Sequence, residues 1–82
     1  MRVKGREIPQ PVLDAGLRAM RGEFTSATVQ MAIVRTAGKE FDWGPAEDWV
    51  LDRTANRLLQ RERKAGRIRF IAGSWREVKQ DA

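Results

Sequence analysis

Apolar side chains recur at helical spacing in three stretches of this chain, and a short alternating stretch follows them. The first stretch carries Val12, Leu13, Leu17 and Met20 on one face, with small Ala15, Gly16 and Ala19 between them. Pro11 suits the opening turn because it lacks an N–H that the helix could not use there, and Gly22 is the predicted close. A second helix is predicted to begin at Thr25 or Ser26 as N-cap, with Phe24 folding back as a staple. Val29, Ala32 and Ile33 form its stripe, and Gly38 is the expected stop.

Residues 39–51 break the pattern with three aromatics, Phe41, Trp43 and Trp49, among four acids, Glu40, Asp42, Glu47 and Asp48. Gly44-Pro45 interrupts any helix there, and Pro45 can open a short helical turn. Residues 52–65 are the most strongly patterned. At about 100° per residue, with Arg53 at zero, Leu58, Ala55, Leu59 and Ala65 span an arc of roughly 120–240°. Arg53, Asn56, Arg57, Gln60 and Lys64 take the opposite side. Carried back to Pro45, the same wheel puts Trp49 and Val50 on the polar side, so the helix is predicted to start at Asp52 as N-cap. Gly66 ends it. Ile68 and Phe70 then alternate with arginines, Ala72-Gly73-Ser74 turns the chain, and Trp75 and Val78 lie on a returning strand, with Trp75 expected in the core of the hairpin. Residues 1–8 are basic and expected to be half ordered, with Val3 and Ile8 as anchors, and residues 79–82 are expected to fray.

One residue conflicts with its surroundings. Glu62 falls at the centre of the apolar arc, where an unpaired carboxylate costs several kcal/mol. Either an arginine pairs with it, Arg18 or Arg35 being the candidates, or the helix end turns it to the rim.

Composition removes whole classes of chemistry. The 82 residues contain no cysteine and no histidine, which excludes disulfides, Cys/His zinc sites, thiol nucleophiles and histidine acid–base catalysis. The acids lack the spacing of a calcium loop, and there is no glycine-rich phosphate loop. The expectation is a non-enzyme without cofactor or metal. No apolar run approaches the roughly 20 residues of a membrane span, and the start has no signal-peptide stretch. The expected class is a single small soluble domain of the cytoplasm.

Charge sharpens the picture. The net charge is +5, and its distribution is uneven: residues 1–51 hold 7 basic and 7 acidic side chains, residues 52–82 hold 9 basic and 4 acidic. All the excess positive charge therefore lies in the patterned helix and the segment C-terminal to it, which points to a polyanionic partner.

The order of elements adds a family. GEFTSATVQMAI is similar to the second helix and its entry in the winged helix-turn-helix family. DRTANRLLQRERKAGRIRF resembles that family's recognition helix running through a glycine bend into the first wing strand, and Gly-Ser-Trp-Arg-Glu-Val looks like the returning strand. The resemblance covers residues 9–78. It implies a mainly α fold of three helices plus a short β-hairpin wing, here with a long aromatic and acidic connection before the third helix. It also implies binding to double-stranded DNA, with the third helix in the major groove, by a small transcription regulator or DNA accessory factor located on the nucleoid. On that reading Arg53, Asn56, Arg57 and Gln60 are the candidates for base edges, because Arg bridges guanine and Asn or Gln bridges adenine. Lys64, Arg67, Arg69 and Arg76 are the candidates for backbone phosphate, with Ser74 beside them. Phe41, Trp43 and Trp49 are expected to form a lid over the core. The alternative is that they form a partner or self-association surface in a protein-interaction module built on residues 40–50, without DNA binding.

Overall fold

The computed structural model describes residues 1–78, so the expected frayed tail at 79–82 lies outside the described residues. The chain is mainly helical, with two small antiparallel sheets. Strands β1 (Arg2–Val3) and β2 (Arg6–Glu7) form a first hairpin, followed by helix α1 (Gln10–Arg18). Strand β3 (Glu23–Phe24) leads into helix α2 (Ser26–Phe41), and a 3-10 turn at Pro45–Glu47 runs into helix α3 (Asp48–Lys64). Strands β4 (Ile68–Ile71) and β5 (Ser74–Glu77) close the described chain. Among the described residues, no helix is long and apolar enough to cross a membrane.

The three helices bury one core, made of Val12, Leu13, Val29, Ile33, Leu51, Leu58 and Leu59, among others. Helix α2 is capped as its sequence predicts. Thr25 is extended, its hydroxyl accepts the Thr28 N–H at 3.3 Å, and the Thr28 hydroxyl accepts the Thr25 N–H at 3.4 Å. Two expected stops are corrected. Helix α1 ends at Arg18 rather than Gly22, whose carbonyl instead accepts the Glu77 N–H at 2.8 Å. Helix α2 continues through Gly38, because a helical glycine costs only about 1 kcal/mol relative to alanine. Asp42, at φ 58, ends it in a conformation that short polar side chains tolerate. The expected long connection therefore shrinks to residues 42–47.

Helix α3 also starts earlier than the wheel predicted. Asp52 is an exposed residue within it, not its N-cap. Val50, on the flank assigned to solvent, and Thr54 one turn later are fully buried, and the Thr54 hydroxyl donates to the Val50 carbonyl at 2.8 Å. The cover for that flank is the first hairpin. Residues 1–8 are not half ordered: Val3 and Ile8 are buried in the core, and the Ile8 N–H donates to the Met1 carbonyl at 2.9 Å.

At its other end α3 closes as its sequence predicts. Gly66 takes φ +79, its N–H meets the Arg63 carbonyl at 3.0 Å, and the Arg67 N–H meets the Glu62 carbonyl at 3.0 Å. This paired closure needs a left-handed residue that only glycine takes without strain. Ala65, expected on the apolar arc, is exposed there.

The hairpin after α3 is part of a three-stranded sheet in the order β3-β5-β4. Register sets Glu23, Arg76 and Arg69 in one cross-strand row and Phe24, Trp75 and Phe70 in the next. The aromatic row is graded: Phe24 is buried, Trp75 half-buried against the core, and Phe70 exposed at the outer strand, with its ring edge-on to Trp75 at 5.2 Å. Trp75 thus packs against the core as expected, whereas Phe70 lies beyond the core's edge.

Candidate nucleic-acid interface

Arg53 lies three and four residues before Asn56 and Arg57, and Gln60 lies four and three after them, which sets the four on one side of α3, and all four are exposed. With Val3 and Lys4 of the first hairpin they line an open groove of about 390 Å³. Arg53 and Asn56 also border a second groove of about 470 Å³, together with Ser26 and Gln30 of α2 and Asp52. The two residues therefore form a ridge between the first hairpin and the opening turns of α2. The first groove holds three cations, two amides and no acid among its lining residues.

Arg57 has a second job. Its Nη1 donates to the Arg2 carbonyl at 2.8 Å, so one of its five N–H donors already fastens the hairpin to α3. Gln60 accepts the Arg63 Nε–H at 3.1 Å. Lys64 stands exposed in the last turn, and Arg69 stands exposed on β4.

The two other arginines expected on phosphate have partners in the protein. Arg76 lies 3.3 Å from Glu23, whose other oxygen accepts the Ser74 hydroxyl at 3.1 Å. Both members of the Arg76–Glu23 pair are more than half exposed, so the pair is worth no more than about 1 kcal/mol and is readily exchanged for another anion. Arg67 is held more firmly. Its Nε lies 3.1 Å from the Glu62 carboxylate, and the Arg61 Nε lies 3.7 Å from it.

These contacts correct the expected partners of Glu62, since neither Arg18 nor Arg35 reaches it. The reason is local. The closure at Gly66 folds Arg67 back over the last turn of α3, which brings its guanidinium to the carboxylate five residues earlier. Glu62 is 6% exposed. Removing its main partner is expected to destabilise the domain in urea unfolding by about 1–3 kcal/mol, below the usual buried-pair range because Arg67 is half exposed. Arg61→Ala should cost less, and Glu62→Leu should be neutral or stabilising. Equal losses for the two arginines would contradict this assignment.

The three aromatics separate. Trp43 packs half-buried against the core, with the Arg6 guanidinium 4.7 Å over its ring. It acts as the expected lid, fastened from the first hairpin. Phe41 and Trp49 are 38% and 55% exposed and are not among the described residues that form the core or pack against it. Because α3 is continuous, Trp49 stands one turn before Arg53 on the same side of the helix. Lys4, Ser26 and Gln30 were missed as site residues. A basic side chain in a stretch read as half ordered, and two polar ones in the opening of α2, gave no periodic signal. Compared with known proteins, the chain matches no family model, no curated protein and no solved structure.

Proposed function

We propose that this chain is a winged helix-turn-helix domain that binds double-stranded DNA as a transcription regulator or DNA accessory factor, not as a catalyst. In this reading α3 enters the major groove with Arg53, Asn56, Arg57 and Gln60 toward base edges, and the β4–β5 hairpin lies against the flanking backbone. The observation that carries it is the acid-free groove beside α3, where guanidinium and amide groups stand together at the spacing of one helix face. The order of three helices followed by a basic hairpin supports it.

The test is an anisotropy titration of random duplex at a series of salt concentrations. With Arg53, Arg57, Lys64 and Arg69 as the cations brought against the DNA, the expected slope of log K on log salt is about −4. Absence of binding at low salt, or binding indifferent to salt, overturns the proposal. The exposed Phe41 and Trp49 favour the protein-interaction reading in that event.

A further inference from the structure

The first hairpin carries three cations, and two of them are occupied within the protein. Arg2 lies 3.9 Å from Glu7, which also takes the Met1 ammonium at 3.7 Å. Arg6 is spread over Trp43. Lys4 has no acidic partner among the described residues. It is exposed, and it lines the groove shared with Arg53, Asn56, Arg57 and Gln60.

The hairpin is also built to hold Lys4 in place. Lys4 and Gly5 form its tip with φ 51 and φ 77, a tight turn whose twist suits two antiparallel strands. Buried Val3 and Ile8 anchor the strands on either side, and Arg57 clamps the Arg2 carbonyl from α3. An unpartnered cation on an anchored turn, beside a groove without acids, is suited to a phosphate that runs alongside the helix.

We infer that the β1–β2 hairpin is a second backbone contact to the same duplex, with Lys4 receiving a phosphate of the strand that borders the groove α3 enters. The inference rests on the proposed DNA binding and extends it to a part of the chain outside the family resemblance. Two elements then flank α3, the β1–β2 hairpin at one side and the β4–β5 hairpin beyond its C-terminal end.

The experiment uses the full chain and a random duplex over several salt concentrations. Lys4→Asn removes the charge and keeps the turn, because asparagine tolerates positive φ. It should melt like wild type, reduce the magnitude of the salt slope by about 0.9, and weaken binding about five- to tenfold at 0.1 M salt. Lys4→Arg should retain both slope and affinity. Lys39→Asn, an equal charge change at the far end of α2, should leave the slope alone. If wild type does not bind, the DNA reading itself fails. If wild type binds with a slope of about −4 to −5 but Lys4→Asn behaves like wild type, or Lys39→Asn loses as much, the hairpin contact alone is overturned.

Discussion

Replacing Arg53 by alanine is expected to weaken duplex binding about 5- to 150-fold, the equivalent of ~1–3 kcal/mol for a good bidentate base contact. Melting should not change, because Arg53 is exposed and makes no ion pair or hydrogen bond among the described residues. Arg57→Ala should weaken binding to a similar degree but also lower stability by about 1 kcal/mol, since it releases the Arg2 carbonyl. The two arginines are adjacent to one ligand, so the double variant need not show the sum of the single losses. Anisotropy at fixed salt and thermal unfolding together resolve the two effects. A double variant that binds like wild type would remove α3 as the reading element.

The second large effect concerns stability. Leu58 is fully buried where α1 crosses the other two helices: a Cβ added at Gly16 would stand 3.2 Å from its Cδ1 and 3.0 Å from Ile33. So close an approach leaves little room for repacking, and Leu58→Ala is expected to cost about 2–5 kcal/mol. For a domain of this size that corresponds to a fall in Tm of about 8–40 °C. Trp43→Ala should cost less because its ring is only half-buried and its neighbour Arg6 can return to water. If Trp43→Ala proved the more damaging, the centre of stability would lie at the lid and not at the helix junction.

Helix signals of short range were legible in the sequence. The Thr25 cap, the stripe of Val29 and Ile33, the arc of Leu58 and Leu59 and the glycine closure at Gly66 depend on neighbours within two turns. The features that were not legible depended on distant partners. Val50 looks misplaced on a wheel until the first hairpin covers that flank. Two-residue strands such as β1 and β3 are too short to alternate, so nothing in their own residues marks them. Glu62 shows both cases. Its need for an arginine follows from the arc, whereas the choice of Arg67 follows from a turn whose geometry appears only when the chain folds back.

The site divides in the same way. The basic side of α3 was visible because it repeats on one helix, and the structure brings Arg53, Asn56, Arg57 and Gln60 to one groove. The occupation of Arg67 and Arg76 by Glu62 and Glu23 was not visible. The first pair forms only through the turn at Gly66, and no local rule joins the second across 53 positions.

Strand β5 is the middle strand of its sheet, and its inner neighbour β3 is borrowed from the connection between α1 and α2. That connection is therefore not a spacer whose length is free to vary, as surface connections usually are. A residue inserted ahead of Glu23 and Phe24 would shift the strand by one position and exchange their faces, turning the aromatic ring to water and the carboxylate inward. The β4–β5 hairpin would lose its footing although none of its own residues had changed. In this chain the tip at Ala72–Gly73 can accept changes of length, and the seven residues between α1 and α2 cannot.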